Sequence, residues 1–239
     1  IPVMEGALFV KVFDSPLAHG KINKLDFSAA EKLDGIVKIF SCKDIPGENQ
    51  VGGIIPDEPF LADQEVHYRG QPVLLVVAEN EDAAEEAIKE IKIEIDPLPV
   101  ITDPREAFKQ GNLLSPSRKF VKGDVADAFT KCKYIFEGRA ESGGQEHLYL
   151  ETQGAYAYPT EHDSVKIFSS TQGPTQVQRT AARVLGVGMN HVEVDVPRLG
   201  GGFGGKEDQA SAWGTMAAMA AWILKRPAKC IPHRMEDMR

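Results

Sequence analysis

Val196-Pro197-Arg198-Leu199-Gly200-Gly201-Gly202-Phe203-Gly204-Gly205-Lys206-Glu207 sets five glycines around one aromatic residue and closes on a lysine and a carboxylate. Glycine costs backbone entropy on folding, so such a cluster has a backbone reason. Without Cβ atoms, several N–H groups can converge on one bound group and form a concave anion-binding nest. Phosphates, oxo groups or a pterin edge suit such a surface. The residues before it, His191 to Val196, alternate polar and apolar and read as a half-exposed strand. Those after it, Asp208 to Lys225, read as a long helix rich in Ala and Met.

Two nucleotide patterns overlap this run, and neither is satisfied in full. Gly200, Gly202 and Gly205 satisfy G-x-G-x-x-G, which needs a buried strand before it and an acidic residue about 20 positions on. The strand here is half-exposed, and Lys225-Arg226-Pro227 occupies the region of the acid. Gly200 to Lys206 also fits a phosphate loop, but Glu207 stands where a Ser or Thr must bind magnesium. A glycine-rich turn without a ligand remains as the plain reading.

Composition narrows the class. With 239 residues the chain suits one large or two modest domains, and 42% hydrophobic with 26% charged residues is enough for a real core. A net charge of −8 argues against non-specific nucleic-acid binding. The longest apolar stretch, Trp213 to Leu224, is too short to span a bilayer, and no signal peptide is evident. Cys42, Cys132 and Cys230 are far apart and odd in number, so neither a disulfide framework nor a zinc or iron–sulfur site is supported. Buried free thiols in a cytoplasmic protein are the expected state. The chain begins Ile1-Pro2-Val3 and stops at Glu236-Asp237-Met238-Arg239, which reads as a piece of something longer.

Along the chain, strands are expected at residues 6–13, 22–27, 35–40, 73–78 and 92–95, with an amphipathic helix over 81–92. Ser28 to Leu33 reads as a short helix capped by Ser28, with Glu31 three residues on. Asp96 to Phe120 is rich in Pro, Asp and Ser and reads as a linker with a short helix at 104–109; another follows at 124–131. Strands are then expected at 134–140, 154–158, 165–169 and 192–196. Pro174 opens a helix that Gly186 closes. No steady βαβ rhythm appears, so the class is α+β, with domains near 1–97 and 132–239 joined by a linker at 98–131.

Three further segments carry chemistry. Glu146 and His147 invite a general acid–base reading, but strand neighbours point to opposite faces, which favours structural groups at a domain interface. Glu146 and Glu151 lack metal-helix spacing, and no H-E-x-x-H occurs. Gln172 sits at a strand end before Pro174, and its amide offers a donor and an acceptor; capping is the plain alternative. The last segment is Arg234-Met235-Glu236-Asp237-Met238.

Taken together, Gly-Gln-Glu-His-Leu-Tyr-Leu-Glu-Thr (144–152), Ser-Thr-Gln (170–172), Leu-Gly-Val (185–187) and Gly-Gly-Gly-Phe-Gly-Gly-Lys-Glu (200–207) resemble the molybdenum-binding large subunit of the xanthine dehydrogenase and aldehyde oxidase family. Ser15 to Ile22 and Tyr68 to Val73 are similar to that family's first domain. The resemblance covers nearly the whole chain. It implies an α/β hammerhead domain followed by the first part of a molybdopterin-binding domain. It implies a molybdenum cofactor, molybdopterin or its cytosine dinucleotide form. Gln172 would hydrogen-bond an oxo ligand of the metal, and Gly202, Phe203 and Gly204 would bring backbone amides beside it. Gln172 and Phe203 would thus form the molybdenum environment, and Glu207 would face the substrate. A carboxylate there points to a purine or similar N-heterocycle such as xanthine or hypoxanthine, whereas aldehyde oxidases tend to an apolar residue. The implied reaction is oxidative hydroxylation, with electrons leaving through Fe–S clusters to FAD and then NAD. Those groups would sit on partner subunits or other regions, beside the remaining portion of the large subunit. Lys206 is left as structural or electrostatic.

The chain departs from the family pattern at Met235, where an acidic residue is usual. The family's general base is expected beyond Arg239, so the isolated piece is expected to be inactive. Rival readings are a subunit-docking scaffold that binds no cofactor, and nucleotide binding through Gly200 to Lys206.

Overall fold

The computed structural model describes residues 4–238; Ile1-Pro2-Val3 and Arg239 lie outside the described residues. Its elements in chain order are β1 (Leu8–Asp14), β2 (Gly20–Asp26), β3 (Ile36–Phe40), β4 (Glu65–Val66), β5 (Pro72–Ala78), α1 (Glu81–Glu90), β6 (Lys92–Pro97), α2 (Pro104–Lys109), α3 (Val125–Thr130), β7 (Ala155–Thr160), β8 (Ser164–Ser169), α4 (Pro174–Leu185), β9 (Val192–Asp195), α5 (Gln209–Leu224), β10 (Ala228–Cys230) and α6 (Arg234–Asp237). Residues up to Pro99 and from His147 onward form one compact unit, and Val100–Glu146 form another.

The larger unit holds two sheets. Seven strands run in the order β3-β5-β1-β10-β7-β8-β9, and three in the order β4-β2-β6. The seven-stranded sheet is mixed: β1 with β10 and β8 with β9 are parallel, and its other pairs antiparallel. Strands from both sequence segments, 1–97 and 132–239, therefore share one sheet.

Strand β5 explains why this sheet is covered on both faces. Its run Val73-Leu74-Leu75-Val76-Val77-Ala78 is buried throughout. Side chains alternate across a strand. Leu75 and Val77 join the core with α4 and α5, while Leu74, Val76 and Ala78 join a second core with Ala84 and Ala87 of α1. Helix α1 is capped by Asn80, whose side chain accepts from the Ala83 N–H. Helix α4 opens at Pro174 and closes at Gly186 in the left-handed conformation, φ +69°.

Helix α5 is buried all round, and its Ala and Met residues let it lie close to α4. A Cβ at Gly214 would sit 2.6 Å from Cγ1 of Val177. Gly214→Val removes a helix penalty of up to about 1 kcal/mol. It also forces a stiff branched side chain into a full core, which costs about 1–3 kcal/mol. The clash outweighs the gain, so urea unfolding should show a lower midpoint; an unchanged or raised midpoint would mean α4 can move aside.

Three expectations are corrected. Residues 134–140 form no strand: they are exposed, with Phe136 91% exposed, and no partner strand pairs with them among the described residues. Ser28 caps no helix. Its hydroxyl and N–H donate to Asp26, and only a 3₁₀ turn follows at Ala30–Lys32. Cys132 is exposed and Cys42 half-buried, so Cys230 alone is a buried thiol. Burial pushes Cys230 up to about 12, and burial with the Asp63 contact pushes Cys42 up to about 11.

Candidate cofactor-binding site

Sheet directions place the site. Because β8 and β9 are parallel, Ser170-Thr171-Gln172 and the glycine loop leave the sheet at the same end. Because β7 is antiparallel to β8, and β10 to β7, Tyr149 to Gly154 enters and Ile231 to Asp237 leaves at that end too. Ligands of open α/β sheets gather outside the carboxyl ends of strands, where loops diverge into helices. Here α4 and α5 begin just after Gln172 and Glu207.

Gln172 is fixed by its own loop neighbours. Its Oε1 accepts from the N–H of Gly204 at 3.0 Å and of Lys206 at 3.3 Å. Its backbone N–H donates to the Lys206 carbonyl at 2.8 Å, and Thr171 Oγ1 donates to the same oxygen at 3.1 Å. With the carbonyl so engaged, the exposed NH2 end is turned to the open side as a donor. The glycines make this fit possible. A Cβ at Gly202 would lie 2.4 Å from Gln172 Oε1, and one at Gly200 2.4 Å from Glu151 Cβ. Phe203 holds φ +53° between Gly201 at +96° and Gly204 at +95°. A non-glycine residue there is strained, and such strain collects at ligand sites. The N–H groups of Gly202 and Phe203 donate to no acceptor among the described residues. The Gly204 N–H does not belong to that open nest, because Gln172 takes it.

Beneath the loop lies a polar knot that sequence reasoning missed. Lys206 is fully buried, and its Nζ reaches Ser170 Oγ at 2.7 Å, Glu151 Oε2 at 3.2 Å and the Tyr149 ring at 4.5 Å. Glu151 also accepts from Ser170 Oγ and from the Gly200 N–H at 2.9 Å. Burial pulls the Lys206 ammonium below its ordinary value, more than Glu151 restores. Burial pushes the Glu151 carboxyl up, but the hydrogen bonds from Ser170, Gly200 and Lys206 outweigh it and hold it low. A carboxyl lowered on folding adds stability above the ordinary glutamate range and loses it as pH falls through the lowered value. Chemical unfolding from pH 6 down to pH 3 should therefore show a smaller acid loss in Glu151→Gln than in the parent; equal slopes would remove Glu151 from that role.

The last helix ties the knot to the sheet end. Arg234 donates to the carbonyls of Tyr149 at 2.7 Å and Leu150 at 2.8 Å, and pairs with Asp237 at 3.0 Å. Asp237 accepts from Tyr149 Oη and the Gln153 N–H. Met235 is 65% exposed, so the departure from the family pattern falls outside this contact. A cavity of about 230 Å³ adjoins the knot, lined by Glu151, Gln153, Ser170 and Arg198 among others, though not by Gln172 or Glu207. Glu146 and His147 lie on no strand; His147 backs Gly205, where a Cβ would meet its Nδ1 at 2.8 Å. Glu207 is exposed, and its carboxylate makes no hydrogen bond or ion pair among the described residues.

Residues 107–239 match the family model of the molybdopterin cofactor-binding domain, and residues 1–99 that of the aldehyde oxidase and xanthine dehydrogenase a/b hammerhead domain. The chain belongs to the xanthine dehydrogenase and aldehyde oxidase family. Xanthine dehydrogenase of Drosophila subobscura is 40% identical over 241 residues, covering 100% of this chain and 18% of that protein. Aldehyde oxidase 2 of Macaca fascicularis is 38% identical over 240 residues, again 100% of this chain and 18% of the relative. The chain thus spans under a fifth of the length of these relatives. Aldehyde oxidoreductase from Desulfovibrio gigas superposes with a TM-score of 0.87 at 22% identity, over 100% of this chain and 28% of that one. That likeness supports the fold alone: a hammerhead domain followed by part of a molybdopterin-binding domain. No helix among the described residues is long and apolar enough to cross a membrane.

The residues present fit a molybdenum cofactor. The outward NH2 of Gln172 and the unengaged N–H groups of Gly202, which is buried, and Phe203, which is exposed, are donors, which suit oxo groups and a pterin edge. The cradle is shaped by glycines that leave no room for a Cβ.

Proposed function

We propose that this chain forms the first part of a molybdenum hydroxylase large subunit that oxidatively hydroxylates xanthine, hypoxanthine or a similar N-heterocycle. The observation that carries the reading is Gln172, whose carbonyl is held by two backbone N–H groups so that its NH2 faces outward. When bound, the molybdenum cofactor supplies the oxidative chemistry at an electron-poor carbon. Gln172 would donate to an oxo group of it, and the Gly202 and Phe203 amides would help to hold it. Glu207, exposed and unpartnered among the described residues at the loop end, accepts from ring N–H groups of the substrate. The cofactor is molybdopterin or its cytosine dinucleotide form, and electrons pass through Fe–S clusters and FAD to NAD. These groups, and the general base, belong to the remaining portion of the large subunit and to partner regions; the isolated piece does not turn over. The site is assigned to the cytoplasm.

The test is steady-state turnover of the complete protein on xanthine, hypoxanthine and an aldehyde series. Purine turnover supports the reading. Turnover of aldehydes alone moves the chain to the aldehyde oxidase type, which the relative from Macaca fascicularis keeps as the second reading. A molybdenum-free complete protein supports a subunit-docking scaffold. Gln172→Ala removes one preorganised donor, so kcat should fall about 10²–10³-fold with the fold kept. Unchanged kcat would take Gln172 out of the cofactor environment.

A further inference from the structure

We propose that His19, Glu65 and His67 form a binding site for a divalent cation of the zinc class on the three-stranded sheet, sharing no residue with the cofactor loop. The register builds it. Gly20 pairs with Val66 and Lys21 with Glu65, so His19 and His67 stand opposite one another across β2 and β4. Glu65 and His67 are two apart along the chain and share a face. His19 Nε2 lies 2.9 Å from Glu65 Oε1, His67 Nδ1 lies 3.8 Å from the same oxygen, and all three ligand atoms fall within 4.8 Å of one another. Tetrahedral zinc with ligands at about 2.0–2.1 Å sets its donors about 3.3 Å apart. The side chains are partly exposed, at 30%, 34% and 56% for His19, Glu65 and His67, so small rotations close the difference.

The chemistry of the donors selects the metal. Two imidazole nitrogens and one carboxylate suit zinc, with water as the fourth ligand, whereas calcium and magnesium take oxygen donors. His19 is already oriented as a metal-binding histidine: its Nδ1 lies 2.8 Å from the Pro99 carbonyl, which leaves Nε2 for the cation. Both nitrogens of His19 face oxygen atoms, Nδ1 that of Pro99 and Nε2 that of Glu65. Strand β4 is two residues long and lies at a sheet edge, so the metal would tie it to β2.

The complete protein, stripped with a chelator, would be titrated with Zn²⁺ by calorimetry beside His67→Ala and Glu65→Gln. His67 is exposed and Glu65 partly exposed on a two-residue edge strand, so the variants keep the fold. We expect one saturable equivalent in the parent that is lost or weakened at least about tenfold in each variant. Hydrogen exchange around 19–21 and 65–67 should slow with Zn²⁺ in the parent only. Equal stoichiometry and affinity in parent and variants, or no zinc-dependent protection, would overturn the site and leave a plain His–Glu ion pair.

Discussion

Gly202→Ala is expected to lower turnover of the complete protein by at least about 10³-fold while its sheets and helices stay folded. The added Cβ would lie 2.4 Å from Gln172 Oε1, 2.7 Å from its Cδ and 3.0 Å from its Cγ. Carbon atoms do not approach that closely, so the amide or the loop must move. Gln172 has little slack, because its carbonyl holds the Gly204 and Lys206 N–H groups and its own N–H holds the Lys206 carbonyl. Loss of one aimed donor costs about 10²–10³-fold. A 1 Å misplacement of a bound group costs about 10²-fold more. Folding loses less, about 1–3 kcal/mol for overpacking at a surface loop. The check is kcat with molybdenum content by elemental mass spectrometry and the thermal midpoint. Gly204→Ala is the contrast: its φ of +95° strains the backbone, but the nearest atom is His147 Nε2 at 3.7 Å, so the loss should be smaller. Near-parental turnover in Gly202→Ala would mean the loop does not set the position of Gln172.

The glycine loop was legible because its signal is local. A run of glycines names its own backbone requirement, and an aromatic residue held at φ +53° among them has no cheap alternative. Helices α1, α2, α3 and α4 were equally legible, since caps, Pro at the first turn and the Gly186 stop lie within the segment itself. Family membership, hammerhead and molybdopterin-binding domains followed from motif order rather than from periodicity.

What failed was what depends on distant residues. Tyr134 to Ala140 opens on Tyr134-Ile135-Phe136, residue types that favour a strand, but such propensity is decided by pairing and packing, and no strand pairs with it among the described residues. That β1, β3 and β5 share a sheet with β7 to β10 is a long-range pairing that no window reveals. Lys206 was left as structural or electrostatic with no partner named; it is fully buried and joins Tyr149 and Glu151 of one segment to Ser170 of another. The one pointer in the sequence was that Glu151 and Lys206 both lie inside the motifs that carry the family resemblance. A buried ammonium needs a carboxylate partner, but Glu207 and Asp208 are nearer in sequence, and only the fold brings Glu151 to Lys206. Arg234 and Asp237 gave no such hint, because their roles depend on the turn after β10 that returns α6 to Tyr149.

Glu207→Val should change the substrate rather than the fold. The Glu207 carboxylate is exposed and unpartnered among the described residues, so its removal should shift stability by no more than about 0.5 kcal/mol. In the proposed purine reading it is the group that recognises ring N–H groups. Each hydrogen bond to a charged group contributes about 1.5–3 kcal/mol, and a site built for such bonds rejects a substrate once one side is left unpaired. The expected result is a fall in kcat/KM for xanthine of about 10²–10⁴-fold in the complete protein. An aldehyde makes no use of the carboxylate, so its kcat/KM should change by less than about tenfold, or rise as the apolar side chain fits it better. Gly202→Ala would depress both substrates together, because it disturbs the cofactor's surroundings and not the substrate's. The two variants thus separate a cofactor loop from a substrate contact on adjacent turns of one segment. If Glu207→Val lowers purine and aldehyde rates alike, the carboxylate supports the loop and the assignment of purine recognition to it fails.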